Sequence, residues 1–143
     1  MYLSFKAISI SLIIFFLLDI GFSQMIVRKI SDPTNQALYI SLFTSILIFV
    51  CGAITGYIAK NKCLVHGLLL GSLIVLIPLL VFLIIMSYWY LVLHAKWTGG
   101  PTQDTLNNFV IPGIFTLLIT CIIAISGAKI GEILSKYYCA GRL

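Results

Sequence analysis

The sequence predicts an all-α fold, a four-helix transmembrane bundle with both termini on the cytoplasmic side. Hydrophobic residues make up 61% of the 143-residue chain and charged residues only 9%, whereas a soluble domain carries about 25% charged residues. The apolar residues form long runs, unlike the alternating pattern of barrel strands. A water-soluble fold of this size cannot bury so much apolar surface, so the chain belongs in a membrane.

Four apolar runs are long enough to cross a bilayer. We predict one transmembrane domain, residues 1–143, with helices over Ala7–Val27, Leu38–Ala59, Val65–Leu93 and Phe109–Leu134. The first run follows Lys6 as a signal peptide would, and Gly21 and Ser23 would form a weak cleavage site. Because Asp19 would interrupt the apolar core of such a signal, we expect an uncleaved helix.

Three prolines bear on where the helices begin and bend. Pro33 belongs to an Asp-Pro-Thr-Asn turn signal in the link between the first two helices. Pro78 lies mid-way along the third helix, where the lost backbone hydrogen bond predicts a kink. Pro112 falls in the first turn of the fourth predicted helix, where proline is well tolerated. The largest link, residues 94–108, is predicted to lie outside the cell.

The distribution of Lys and Arg predicts the orientation. Four spans put both termini on one side, and that side carries six basic residues against three on the other: Lys6, Lys60, Lys62, Lys129, Lys136 and Arg142 against Arg28, Lys29 and Lys96. The positive-inside rule therefore places the termini in the cytoplasm and the protein, as a multi-pass protein, in the inner (plasma) membrane. The net charge of +5 then faces anionic lipid and not nucleic acid. Because Arg28 and Lys29 adjoin a helix end on the poorer side, dual insertion is the alternative.

Asp19 is the only acidic residue in the predicted membrane interior, about 12 Å from the nearer end of its helix. A lone carboxylate at this depth costs a few kcal/mol unless it is paired, protonated or facing a polar cavity. Ser11, Phe15 and Ser23 are spaced from it at four-residue intervals, which predicts a mildly polar stripe with Gln24 one turn further out. We single out Asp19, Ser23 and Gln24 as residues that bind or couple a proton or cation. The alternative is structural, with Asp19 accepting hydrogen bonds from Ser or Thr of a neighbouring helix.

Three pairs of glycines at four-residue spacing predict close helix packing. They are Gly52 and Gly56 in the second span, Gly67 and Gly71 in the third, and Gly127 and Gly131 in the fourth. All six lie in the predicted cytoplasmic half, so we expect the bundle to be tightest there and looser near Asp19. This packing lies either within one chain or between protomers.

The second and fourth spans end in similar segments. The segments Gly52–Gly56 and Gly127–Gly131 are 75 residues apart, and each is followed by further apolar residues and a charge. Helices 1–2 and 3–4 would then form a parallel repeat with one orientation in the membrane. Chance similarity and convergent packing are the alternatives.

Patterns for catalysis and metal binding are sparse. The four cysteines form no C-x-x-C motif and are predicted to be reduced packing residues: Cys51, Cys63, Cys121 and Cys139. His66 and His94 lie at opposite ends of one helix and cannot share a metal. The chain has no P-loop, nucleophile elbow or H-E-x-x-H motif. We therefore expect no catalytic residue, cofactor or metal; an enzyme would have to be assembled from Asp19, His94 and Asp104.

The charged residues nearest to the span ends suggest one ion pair. No Lys or Arg lies deep in a span as a partner for Asp19. Lys129 is three residues from Glu132, so we expect a local pair between these two side chains.

Three stretches resemble a broad group of small bacterial four-helix membrane proteins. They are Leu17–Gly21 in the first span, Gly52–Lys60 at the end of the second and His66–Gly71 at the start of the third. That group tends to carry an aspartate in helix one and a Gly-Gly-Tyr-x-Ala-x-Arg type ending on helix two; here Ala53 and Lys60 replace a glycine and an arginine. The resemblance covers about half of the chain and implies an inner-membrane location and a four-helix fold, with no activity. Asp19 is also similar in placement to the helix-one glutamate of small multidrug-resistance transporters.

These observations lead to two expectations about function. The first is an accessory or assembly component that packs with itself or with a larger membrane complex through its glycine-rich helix faces, with membrane lipids as further partners. The second is a small oligomeric transporter or channel in which Asp19 couples a proton or cation. Since four helices rarely enclose a full pathway, the second function would require dimerisation.

Overall fold

The computed structural model describes residues 4–60, 62–92 and 103–140. Over these ranges the chain forms four helices: α1 (Phe5–Lys29), α2 (Pro33–Ala59), α3 (Cys63–Val92) and α4 (Gln103–Ala140). Each helix contains a stretch long and apolar enough to cross a membrane. The predicted all-α architecture with four spans is confirmed, and the cytoplasmic position of the termini stays a prediction.

The helix α2 begins five residues earlier than the apolar pattern indicated. Asp32 caps it, because one carboxylate oxygen accepts the Thr34 N–H at 3.1 Å and the other accepts the Asn35 side-chain amide at 2.7 Å. Pro33 occupies the first helical position, where its missing N–H costs nothing. The Asp-Pro-Thr-Asn segment is therefore the cap and first turn of α2, and the link between α1 and α2 is shorter than predicted.

The helix α4 is longer than predicted at both ends. It starts at Gln103 and ends at Ala140, so Pro112 lies inside the helix and not in its first turn as expected. The Thr116 hydroxyl donates to the Pro112 carbonyl at 2.8 Å. Hydropathy marks only the part of a helix that lies in hydrocarbon, so the polar residues before Phe109 gave no signal of helix. In α3 the helix continues through Pro78.

The helices α2 and α4 run parallel and pack backbone against backbone. A Cβ atom placed on Gly52 would lie 2.5 Å from the Ala124 carbonyl oxygen, and one on Gly56 would overlap the Ala128 carbonyl oxygen. From the other side, Gly127 faces the carbonyl of Phe49 and Gly131 that of Ala53. We call this contact the α2–α4 seam. Its closeness depends on the absence of side chains at the four glycines.

The α2–α4 seam has two-fold symmetry. Gly52 and Gly127 are 75 residues apart, and so are the residues that they contact, Phe49 and Ala124. The contact between Gly56 and Ala128 has the same counterpart. A shift of 75 residues turns Gly56 into Gly131, and it turns Ala53, which Gly131 contacts, into Ala128. Equivalent positions of the two helices therefore exchange equivalent contacts.

The other two helices do not follow this symmetry. The helix α3 runs antiparallel to α4, and Cβ atoms on Gly67 and Gly71 would lie 2.7 Å and 2.8 Å from the Cα atoms of Ile125 and Cys121. The helix α1 packs against α2 and touches α3, and over the described ranges it makes no contact with α4. The bundle thus has a symmetric centre, α2 and α4, with both remaining helices on one side.

Burial divides the bundle into two halves. The packed half is the end of the bundle that contains residues 7–15, 47–56, 63–74 and 120–135. The first and last described residues also lie at this end. We call the rest of the bundle the open half. Apart from Ile26, every buried residue of the described side chains lies in the packed half. In the open half, the α3 side chains from Leu79 to Ile85 are all exposed. The prediction that the bundle is tightest at the glycine pairs and looser beyond is confirmed.

The seam makes a direct prediction about glycine substitutions. Gly131→Ala should lower the free energy of unfolding by about 1–3 kcal/mol, the usual range for an overpacked contact, because the new methyl group meets the Ala53 backbone. Gly21→Ala is the matched control, since nothing lies within 4 Å of that position, and it should leave stability unchanged or slightly raised. Unfolding in mixed micelles measures both. Equal stability of the two variants would contradict the seam.

Candidate functional site

Asp19 lies in the contact between α1 and α2. Its Oδ1 accepts a hydrogen bond from the Thr44 hydroxyl at 2.7 Å, and the side chain is half-buried. A hydroxyl of a neighbouring helix was one of the environments expected for this carboxylate, and the structure places the carboxylate there. A charge-assisted hydrogen bond of this kind partly offsets the cost of holding a carboxylate at membrane depth.

The surroundings of Asp19 differ on its two sides. Towards the packed half, Phe15 and Ile48 belong to the hydrophobic core. Towards the open half, the rings of Phe22 and Phe43 stack with their centroids 3.6 Å apart. The hydrogen bond with Thr44 therefore lies one turn above the core and one turn below an aromatic pair, in a narrow contact between two helices.

The other two residues predicted to act with Asp19, Ser23 and Gln24, form no hydrogen bond with it among the described contacts. Ser23 is half-buried and Gln24 is exposed. Gln24 lines a shallow depression on α1 together with Arg28 and Lys29. The side chain that the structure brings to Asp19 is Thr44. Sequence reasoning missed Thr44 because nothing in one chain's spacing tells which hydroxyl of α2 meets α1.

A second polar contact joins α1 to α2 inside the packed half. The Ser11 and Thr55 hydroxyl oxygens are 2.7 Å apart, and both side chains are fully buried. Thr55 also lies 2.9 Å from the Cys51 carbonyl oxygen. A hydroxyl has one proton, so the chain is satisfied when Ser11 donates to Thr55 and Thr55 donates to Cys51. Ser11 and Asp19, two members of the predicted polar stripe, therefore both serve to fix α1 on one face of α2.

A third polar cluster closes the end of the packed half. The buried His66 ring accepts the Ser4 backbone N–H at Nε2, at 3.1 Å, and lies 3.0 Å from the Lys62 carbonyl oxygen at Nδ1. These contacts favour the tautomer with its proton on Nδ1, and they tie the start of α1 to the start of α3. On α4, Glu132 Oε1 lies 2.6 Å from Lys136 Nζ. The partner of Glu132 is therefore Lys136, one turn after it, and not Lys129 as expected.

None of these clusters has the form of a metal site. Among the described residues, no group of three His, Cys, Asp or Glu side chains lies close enough together to hold an ion. His94, which we considered for catalysis with Asp19, lies outside the described residues, as does the side chain of Asp104.

An apolar groove lies between α2 and α4. It has a volume of about 430 Å³ and is lined by six residues of α2 between Phe49 and Ile58 and by Gly131 and Leu134 of α4. It lies on the side of the α2–α4 seam away from α3, at the depth of the packed half. We call it the α2 groove. Its lining carries no charged residue.

The six glycines singled out for helix packing are placed by the structure within the chain. Gly52, Gly56, Gly127 and Gly131 form the α2–α4 seam, and Gly67 and Gly71 hold α3 on α4. Of the two arrangements considered, packing within one chain or between protomers, the structure shows contacts within one chain. An interface with another protein must use a different surface.

The helices and their apolar surface define a small multi-pass integral membrane protein. A comparison of the chain with protein-family models, with curated proteins and with solved structures found no match. The resemblance to small bacterial four-helix membrane proteins stays a prediction.

The contact between Asp19 and Thr44 predicts a selective effect of hydroxyl removal. Thr44→Val should destabilise the bundle by about 0.5–1.7 kcal/mol, the range measured for hydrogen bonds between membrane helices. Thr44→Ser keeps the hydroxyl and is the control, with a smaller loss. Unfolding in mixed micelles distinguishes them. If valine and serine had the same effect, the hydroxyl would not be the stabilising group.

Proposed function

We propose that this protein is an accessory component of a membrane-protein assembly and binds another membrane protein through the α2 groove. The observation that carries the proposal is the groove itself, a concave apolar surface beside the most closely packed contact of the bundle. Most of the described polar side chains in the packed half are bonded within the chain. The protein thus offers a partner a rigid apolar shape.

The proposal includes a location. We infer that the assembly lies in the inner (plasma) membrane with the termini of this chain in the cytoplasm. The excess of Lys and Arg on the side of the termini supports this orientation. Membrane lipids are the second class of partner, since apolar side chains cover the outer face of all four helices.

The assembly proposal predicts the mass of the native particle. Tagged protein, extracted with a mild detergent from cells that naturally make it, should be recovered in a complex heavier than one 15.8 kDa chain, with a second protein in fixed ratio. Native mass spectrometry measures the mass and the ratio. The same protein made alone in a foreign host is the control and should have the mass of one chain.

The outcomes separate the forms of assembly. A mass that is a whole multiple of 15.8 kDa would indicate self-association instead of a separate partner. A particle of one chain in every preparation would contradict the assembly function.

A second candidate function, favoured by one observation, is proton or cation transport by an oligomer through Asp19. The carboxylate accepts one hydrogen bond from Thr44 and is only half-buried. Part of it is therefore exposed at the surface of the contact between α1 and α2. A carboxylate in this position can exchange a proton or hold a cation when an oligomer supplies the rest of a pathway.

Transport through Asp19 predicts a loss of flux on neutralisation. Asp19→Asn removes the charge but keeps an oxygen that accepts the Thr44 hydroxyl, so the fold should be retained while proton or cation flux into proteoliposomes falls to the background of empty vesicles. Thr44→Val retains the carboxylate and should keep measurable flux. Unchanged flux in Asp19→Asn would exclude the carboxylate mechanism.

A further inference from the structure

The α2 groove is the two-fold counterpart of the face of α4 that α3 covers. The helix α3 contacts α4 at Cys121 and Ile125, and the residues 75 positions earlier are Ile46 and Val50 on α2. Ile46 and Val50 are exposed, and Val50 lines the groove. One face of this symmetric pair therefore has a helix seated on it, and over the described ranges the equivalent face has none.

We propose that the α2 groove binds one transmembrane helix of a different membrane protein, antiparallel to α2, with two small residues four positions apart seated against Val50 and Ile46. This inference rests on the proposed assembly function and names the class of partner and its orientation. The occupied face supplies the geometry. There, Gly67 and Gly71 of an antiparallel helix bring its backbone against the Cα atoms of α4.

The charge of the two faces sets the composition of the partner helix. On α4, the packed half holds one buried charged side chain, Glu132. The equivalent residue on α2 is Tyr57, which lines the groove. The groove thus offers no charged group, and a charged side chain seated in it would stay unpaired at high cost. The partner helix is therefore uncharged over the length that covers Val50 to Tyr57.

A second copy of this chain with the same orientation in the membrane does not meet these requirements. In a copy with the same orientation, the helices antiparallel to α2 are α1 and α3. The pair Gly67 and Gly71 of α3 is already seated on α4. On α1, the small residues Ala7 and Ser11 are fully buried. The proposed occupant of the groove is therefore a helix of another protein.

A peptide of this chain serves as the probe for the groove. The synthetic peptide of residues 63–85, which is the α3 span, carries the required pair of glycines. Full-length protein labelled with a donor dye is placed in bicelles, and an acceptor-labelled peptide is titrated while energy transfer is measured. We expect saturable binding, and at least tenfold weaker binding to Val50→Trp, whose indole ring fills the groove.

Three controls isolate the groove. Ile13→Trp adds the same ring at an exposed position of α1 (60% exposed) and should bind the peptide like the wild-type protein. Ile54→Trp fills the groove from a second position and should act like Val50→Trp. A peptide with Gly67→Leu and Gly71→Leu should not bind. Circular dichroism confirms that the tryptophan variants keep their helix content.

Several results would overturn the inference. Absence of saturable binding would do so, and so would equal binding to Val50→Trp and Ile13→Trp, which would mean that the peptide displaces α3 or associates non-specifically. If the peptide does not bind and native mass spectrometry shows a lipid on the wild-type protein and Ile13→Trp but not on Val50→Trp, the occupant is an acyl chain and not a helix.

The fate of the native complex distinguishes this inference from the proposed function. If Val50→Trp still forms the native complex with wild-type mass and ratio, the partner binds elsewhere, so the assembly function stands and the groove assignment is wrong. If the native complex is lost in Val50→Trp and kept in Ile13→Trp, both are supported. If the wild-type protein forms no complex, the assembly function fails whatever the peptide does.

Discussion

The close contact between the backbones of α2 and α4 is the constraint on which the rest of the structure depends. Gly52 and Gly56 admit the carbonyls of α4, and Gly127 and Gly131 admit those of α2. In a bilayer, water does not drive helices together, so close van der Waals contact over a smooth backbone surface is a principal source of helix affinity. Any side chain at these positions separates the two helices and removes the platform on which α1 and α3 pack.

The platform also explains the difference between the two halves of the bundle. The glycines lie in the packed half, where the helix axes approach closely and Leu70, Cys51 and Thr55 become fully buried. In the open half, the exposed stretch of α3 after Pro78 shows that the helices no longer share a core. Asp19 lies one turn beyond the last core layer, which is why it is only half-buried.

The sequence carried the parts of this structure that depend on composition and on spacing along one helix. Long apolar runs predicted the four spans, and the spacing of the glycines predicted where the packing is closest. It did not carry the pairing of residues between helices, such as Asp19 with Thr44 or Ser4 with His66, because each depends on the rotation of two helices. The partner of Glu132 was also not predicted correctly. Glu132 has Lys129 one turn before it and Lys136 one turn after it, and it pairs with Lys136. The Asp-Pro-Thr-Asn segment was predicted to be a turn in the link, but Asp32 caps α2. The same residue types favour both a turn and the start of a helix.

The polar residues of α1 explain why α1 does not cover the α2 groove. A symmetric bundle would seat α1 on the face of α2 that bears Val50, just as α3 sits on α4. At the depths of Ser11 and Asp19, however, hydroxyl partners exist on another face of α2, at Thr55 and Thr44, whereas the groove face presents apolar side chains. A serine and a carboxylate in hydrocarbon strongly favour the face that satisfies their hydrogen bonds. Asp19 thus helps to direct α1 away from the groove, so the residue that looked like a site of ion chemistry also determines which surface this protein leaves free for a partner.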